Sequence, residues 1–561
     1  MNTSSLAMKH VTKHTGVGIV CAVAYFDPGN WGVDLQAGSV YGYKLLFIVL
    51  LAGIFAVFLQ ILASRLGCVT GLDLASHCRI LLHSRPKHKL LYRYLLLYPL
   101  YILSEVAIIS TDLAELLGSA IALSLIWPKL PLWAGVLLTA GDVLFLLALG
   151  DPLGGRPAKM FEYFIAVLVL IVLVCMAIII TKVDVNWAQA FDGFVPSKTI
   201  FSSGGLYTCE AQFVHIFLRF CSSIAFLLAV GILGATVMPH SLFLGSALAT
   251  QDRLSVSPSK TSSSDQILPS DLAAPSRPPL LRRTADFFRS VVKVTFKDQF
   301  AIKEGRSEPK SHAERSNNPL AFVRAHLWHG IFDMAISLLG FAVIINALIL
   351  ILASAVFYYG MDAAENTGPA NLFDAHTLIG NIVGKRELHR ALDPIVKSHA
   401  ECSCRSVVRA GSTSGGAELL DNRNCSRPKC LRRIFAPVMR RLVTRLIGLV
   451  PSLIIAAAGG RAGLNGLLIA SQVTLSIVLP FVTLPLIYLT SSSAVMSVRV
   501  EAPNASPTSD ANSGVAEQGG QESTVDYSSG KLATCAGVII WLIMVAANAY
   551  VLVTLALGED S

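Results

Sequence analysis

Ten apolar runs long enough to cross hydrocarbon alternate with polar stretches along the chain. They lie near 15–40, 45–67, 94–126, 131–149, 160–182, 229–250, 326–358, 442–459, 464–490 and 532–557. Two of these runs are interrupted. The first, from Thr15 to Val40, carries FDPGNW at Phe26 to Trp31, which puts Asp27, Pro28, Gly29 and Asn30 inside a membrane span. The sixth reads AVGILGATVMPHSLFLGSAL from Ala229 to Leu248, with Met238, Pro239 and His240 in its middle. A proline removes a backbone donor and a glycine loosens the helix, so carbonyls near each break are released from the ladder. A carboxylate at the bilayer centre costs about 2.5–3.5 kcal/mol on insertion scales, so Asp27 needs a partner or a purpose. Taken alone, a proline kink around a buried neutral Asp explains the first break equally well. Two interrupted spans in corresponding halves instead point to a transport site between inverted repeats.

Composition places the chain in lipid. Of its 561 residues, 53% are hydrophobic and only 14% charged, against about 25% charged in a soluble domain. The net charge of +9 would suggest nucleic acid for a soluble protein. Here Lys and Arg concentrate in short loops, such as RPKHK within Arg79 to Arg93 and the pair Arg156 and Lys159, so the positive-inside rule accounts for it and no nucleic-acid partner is expected. Lys9, His10, Lys13 and His14 precede the first span and predict a cytosolic amino-terminal tail over 1–14, with no cleavable signal. The stretch 251–325 reads as a disordered cytosolic loop and 491–530 as a second polar cytosolic loop. Within the first, Thr284 to Ile302 fits either a basic helix on the membrane surface or a solvated one. The eleven cysteines show no secreted-type framework.

Four motifs in order carry a family resemblance: DPGN at 27–30, TDLAELLGSAIAL at 111–123, GILGATVMPHS at 231–241 and SQVTLSIVLPFVTLPL at 471–486. With them the chain, from Gly16 to Tyr488, resembles the Nramp family of proton-coupled divalent metal ion transporters in its fungal-like form. The resemblance implies an all-α polytopic membrane protein of the LeuT type. Its core over 15–490 would hold two inverted five-helix repeats with discontinuous first and sixth helices, followed by an eleventh helix and short tail over 531–561. It implies symport of Mn²⁺, Fe²⁺ and similar ions with H⁺ toward the cytosol, by a monomer in the plasma membrane or an endomembrane such as the vacuole. No cofactor is implied beyond these transported ions.

Asp27 supplies charge and Asn30 a neutral oxygen, while Met238 offers a thioether and Ala235 a carbonyl freed by the second break. Oxygen donors alone suit Ca²⁺ or Mg²⁺; the sulfur shifts preference toward softer transition ions. For a lone Met, core filling is the ordinary role. The resemblance adds Gln472 to the metal site, although an interhelical hydrogen bond is its plain alternative. For protons, Glu105, Asp112 and Glu115 fall at i, i+7 and i+10 on one helix face, which reads as a relay or an ion-pair ladder. Structural pairing of Glu105 and Glu115 with Arg441 or Arg445 is the simpler account. The resemblance favours a relay from Asp27 through His240 and that face, and His240 titrates in the useful range unless it merely packs. Many family members carry a second His where this chain has Gly245. An amino-acid transporter on the same architecture would use glycine-rich breaks and no thioether; a signalling protein with a transporter-like domain would lose the ligands and gain a folded tail. No phosphate-binding loop and no catalytic constellation is present, so neither an ATP-driven pump nor an enzyme is indicated.

One expected element is missing. No apolar run lies between Lys385 and Phe435, where the family's eighth helix would return the chain to the cytosol. Read literally, the ninth and tenth helices would be inverted, Arg441 and Arg445 would face the wrong side, and Gln472 would approach the site from an inverted helix. With a suitable choice of synonymous codons, Ala410 to Ile434 re-reads one base later as LALPLAGQSSWTIATALGQNVSEGF, which resembles that helix. Residues 386–434 are therefore compatible with out-of-frame translation that replaces a helix. Residues 209–228 match the length of a short retained intron, or else extend the sixth helix. On the first reading, Cys402, Cys404, Cys425 and Cys430 imitate a zinc site only by frame. Sequencing the transcript is expected to show the shifted frame, and a protein with the re-read helix restored and 209–228 removed is expected to transport Mn²⁺ better than the chain as written. An in-frame message encoding CSCRSVV, or equal activity of the two, would contradict this.

Overall fold

The computed structural model describes residues 17–83, 85, 87–148, 159–196, 224–252, 312, 316–360, 370–383, 437–500 and 524–557. Each apolar run becomes a helix. In chain order these are α1 (Val17–Val23), α2 (Pro28–Tyr41), α3 (Leu46–Thr70), the short α4 (Leu74–His83), α5 (Tyr98–Ile126), α6 (Leu132–Ala148), α7 (Lys159–Ile180) and the short α8 (Trp187–Asp192). Then come α9 (Ile224–Thr236), α10 (Pro239–Leu248), a continuous helical run α11 (Leu320–Tyr358), α12 (Leu372–Val383), α13 (Pro437–Ile454), α14 (Gly460–Ser491) and α15 (Lys531–Leu557). Among the described residues, six helical stretches are long and apolar enough to cross a membrane, and four shorter apolar helices accompany them. The protein is an integral, multi-pass membrane protein.

Both interruptions are real breaks with a common chemistry. α1 runs through one 3-10 turn, Ala24–Phe26, and stops; Asp27 is extended (φ −70°, ψ 157°) and caps α2, with Pro28 at the first helical position. Proline is tolerated there because the missing N–H had no intrahelical partner. Met238 is likewise extended (φ −74°, ψ 126°), with Pro239 opening α10. The breaks are held together in the centre of the bundle. α2 packs against α9, α11 and α14; α10 packs against α3; α5 packs against α14, α6 and α13. The free N–H of Gly18 in the first turn of α1 is bound by the carboxylate of Asp333 on α11 at 2.7 Å.

Several boundaries differ from those the hydrophobic pattern predicts. α11 begins at Leu320, not 326, and the ordered segment ahead of it belongs to the fold. Asn317 Nδ2 donates to the carbonyls of Val495 and Ser497 at 2.7 Å each, and Asn318 Nδ2 donates to Cys68 O at 2.8 Å. The supposed loop 491–530 contains a helical turn and an antiparallel ribbon, β1 (Ser497–Arg499) on β2 (Thr524–Asp526), with Val498 opposite Val525. Arg65 on α3 docks this ribbon through Tyr527 O at 2.8 Å. Polar composition hid these elements because three-residue strands carry no readable period. α9 starts at Ile224, so the last residues of the suspected insertion 209–228 are helical. The rest of that insertion, the segment Thr284 to Ile302, and all of 386–434 with its four cysteines lie outside the described residues.

Among the described residues, the only helix between Tyr358 and Pro437 is α12, whose 12 residues reach about 18 Å against a hydrocarbon core of about 30 Å. Even so, the inversion expected from counting loops does not occur. α14 runs antiparallel to α2, since Gly29 meets Gln472 and Gly32 meets Leu468; α13 packs on α5 and α6, and Arg445 reaches Asp112 as Gln472 reaches Asp27. Complementarity of buried polar groups, which lipid makes costly to leave unpaired, sets the placement of these helices.

α2 and α11 run parallel in very close contact. A Cβ built on Gly38 would stand 2.5 Å from Leu350 O and 2.7 Å from Ala353 Cβ. Gly38→Val is therefore expected to destabilise the protein by about 1–3 kcal/mol, read as a lower melting temperature in detergent. Gly141→Ala, at a position with nothing within 4 Å, is the control; equal melting temperatures would show that the helices can part freely.

Candidate metal and proton site

The cradle is built from the cap of α2. Asp27 Oδ1 accepts from the backbone N–H of Asn30 at 2.9 Å and from its side-chain Nδ2 at 2.7 Å. The first is the ordinary bond of an N-cap carboxylate to the third residue of its helix. Asn30 Nδ2 also faces Tyr25 O at 3.0 Å and Ala235 O at 3.1 Å. An NH₂ group has two protons, yet three oxygens converge on this one: a carboxylate and one carbonyl from each broken helix. Asn30 Oδ1 meanwhile is buried without a hydrogen-bond partner. Rotating the amide about its own axis would add a fourth oxygen to the three, a set suited to a cation.

Gln472 closes the other side. Its Nε2 donates to Asp27 Oδ2 at 3.1 Å, and its Oε1 is buried without a partner. Glycine at position 29 makes this approach possible, because a Cβ there would collide with the Gln472 amide. Met238 is fully buried at the second break, and its carbonyl is taken by Ser241 N at 3.1 Å and Ser241 Oγ at 2.7 Å. All five predicted metal residues, Asp27, Asn30, Ala235, Met238 and Gln472, thus lie at or beside the paired breaks. Among the described residues no three His, Cys, Asp or Glu side chains form a conventional metal cluster. The cradle itself is one carboxylate, amides and carbonyls, with Met238 buried at the second break beside it.

The predicted proton groups divide. His240 is buried beside the break, with Nδ1 3.2 Å from Thr111 Oγ1. Thr111 donates to Ala107 O at 3.0 Å, so this network assigns the Nδ1 proton to the histidine and leaves Nε2 as its lone pair. Asp112, the next residue along α5, pairs with Arg445 NH1 at 3.1 Å, both deeply buried. Arg445, one of the two cations considered for this helix face, thus meets Asp112. Glu105 and Glu115 are half-buried on the same helix. Arg441 is helical, but its side chain lies outside the described residues.

Sequence reasoning missed Tyr25, whose carbonyl joins the cradle, and also Thr111 and Gln60. Gln60 Nε2 donates to Ser241 Oγ at 2.8 Å, and a Cβ on Gly245 would run into Gln60 Oε1. The space opened by glycine at 245 is thus filled from α3. Only a search for polar residues inside apolar runs would have flagged Gln60.

These features agree with what the chain is similar to. A sequence profile described as "Natural resistance-associated macrophage protein-like" (Nramp) matches residues 18–272 and 307–503. The manganese transporter pdt1 of Schizosaccharomyces pombe is 34% identical over 98% of this chain and 87% of its own length. The iron transporter SMF3 of Saccharomyces cerevisiae is 32% identical over 99% of this chain and 98% of its own. A crystal structure of the Eremococcus coleocola manganese transporter superposes with a TM-score of 0.62 at 23% identity, covering 98% of this chain and 87% of that one. That likeness shows the fold, the LeuT type.

Removing one partner of a buried ion pair strands the other charge, at a cost of about 3–5 kcal/mol. Arg445→Met is accordingly expected to lower stability more than the double replacement Arg445→Met with Asp112→Leu. Additive losses in a double-mutant thermal-melt cycle would show that the two groups are uncoupled.

Proposed function

Because this chain belongs to the Nramp family, we propose that it is a proton-coupled symporter carrying divalent transition metal ions, Mn²⁺ and Fe²⁺ among them, toward the cytosol. One observation carries the reading: oxygens from two facing helix breaks converge on the Asn30 amide between Asp27 and Ala235. The cargo would take the place of the amide protons. It would bind the Asp27 carboxylate, the Asn30 carbonyl oxygen and the released backbone carbonyls, while the sulfur of Met238 disfavours Ca²⁺ and Mg²⁺. Gln472, already on Asp27, would follow the ion as a carboxamide ligand when α14 moves.

Proton movement uses neighbouring groups. Where Asp27 carries a proton, an arriving cation would expel it, and His240 beside Thr111 would receive it, with the Asp112–Arg445 pair one residue further on α5. Glu105 and Glu115 extend that face. The chain acts as a carrier and not as an enzyme, and its partners are metal ions, protons and the bilayer around a monomer. An amino-acid substrate fits less well. Its carboxylate would seek the positive end of a half-helix, and at α2 that place is held by the carboxylate of Asp27.

The test is Mn²⁺ uptake into proteoliposomes with acid outside. Uptake is expected to follow the pH gradient and to fall to background in a well-expressed Asp27→Ala protein. Met238→Ala is expected to keep uptake but lose about tenfold in Mn²⁺-over-Ca²⁺ preference, which corresponds to about 1.4 kcal/mol. Normal uptake without Asp27, or unchanged exclusion of Ca²⁺ without the sulfur, would refute the corresponding assignment.

A further inference from the structure

Asp34 is 1% exposed and its Oδ2 is buried with no hydrogen-bond partner. It stands seven residues beyond Asp27 on α2, so it lies about 20° from the same helix face and about 10.5 Å further along the axis. Asp27, Asn30, Asp34 and Gly38 thus form one stripe. At its far end the stripe meets α11, where Gly38 touches Leu350 and Ala353. The two helices run parallel, since Gly18 near the start of the first span meets Asp333 and Ser337 on α11. One turn below Leu350 is Asn346, as Asp34 is one turn below Gly38. Asn346 is also 1% exposed, and both its Oδ1 and its Nδ2 are buried without partners. Beyond them the end of α2 is covered by aromatic rings, with Tyr43 stacked on Tyr359 at 5.1 Å and Tyr358 against Tyr359 at 4.7 Å.

A carboxylate and a carboxamide set at one level between two packed helices, each with unused oxygens, are an expensive arrangement for a membrane interior. We propose that Asp34 and Asn346 form a second divalent-cation site, a staging position between the aromatic cover and the Asp27 cradle. Its donors are hard oxygens only, with no sulfur, so it accepts a divalent cation that keeps part of its water shell and does not discriminate against Ca²⁺. Selection is then left to the cradle two turns deeper. This inference rests on the reading of the Asp27 cradle as the transport site, in that the second site lies on its path.

The test separates the two readings. Mn²⁺ binding to the full-length Asp27→Ala protein, measured by the electron paramagnetic resonance of free Mn²⁺, needs no transport. One weak class of sites, displaceable by Ca²⁺, is expected to remain on Asp27→Ala and to disappear on adding Asp34→Asn. Moving the carboxylate across the gap, in Asp27→Ala with Asp34→Asn and Asn346→Asp, is expected to restore it, which a merely structural role would not do. Residual binding that is absent from Asp27→Ala, or indifferent to Asp34, would overturn the proposal whatever the liposome assay shows. In liposomes, Asp34→Asn alone is expected to raise the half-saturating Mn²⁺ concentration by about tenfold with the maximal rate within about twofold of wild type. A fall in maximal rate at unchanged half-saturation would also overturn it.

Discussion

Hydrocarbon offers no hydrogen bonds, so wherever a membrane helix is broken its loose backbone groups and any charge beside them must be satisfied by the protein itself. The two breaks in this chain meet that demand jointly. Asp27 caps its own helix through Asn30 N, and the Asn30 side chain then reaches across to the carbonyl of Ala235 released by the other break. The glycine at 29 admits Gln472, which takes the remaining carboxylate oxygen. Where α14 packs against α2 and α9, it keeps this carboxylate partnered.

The same demand explains which parts of the architecture were legible in the sequence. Long apolar runs and the two prolines inside them are unmistakable, because nothing else tolerates their composition. The positions of Asp27 and Asn30 could be read for the same reason, as polar residues where lipid would otherwise require Leu or Val; Met238 drew notice through Pro239 beside it, and Gln472 through the family resemblance. Pairings were harder. Three carboxylates on α5 share a face, and periodicity cannot say which of them meets Arg445; the structure selects Asp112, the buried one. Counting charges in loops predicted an inverted α13 and α14, and it failed because it weighs the loops and ignores what the helix interiors require. The ribbon at 497–499 and 524–526 is too short to leave a pattern.

The departure at Gly245 shows how a site can lose a side chain and keep its volume. Where the resemblance led one to expect histidine, α3 contributes Gln60, which binds Ser241 and lies within reach of Tyr25 Oη at 3.4 Å. A carboxamide orients neighbours but does not exchange protons at physiological pH. His240 is then the titratable side chain at the second break, and Thr111 holds it in one tautomer.

The Asn30 amide has a consequence for the return half of a carrier's cycle. A carrier that has delivered its ion must turn back through the low-dielectric centre of the bilayer with its ligands still in place. Here the amide protons sit among the oxygens proposed to bind the ion, so on that reading the unloaded protein would carry an internal surrogate and would reorient without bare oxygens facing one another. Each arriving ion would first have to evict that surrogate, which would trade tight grip for turnover.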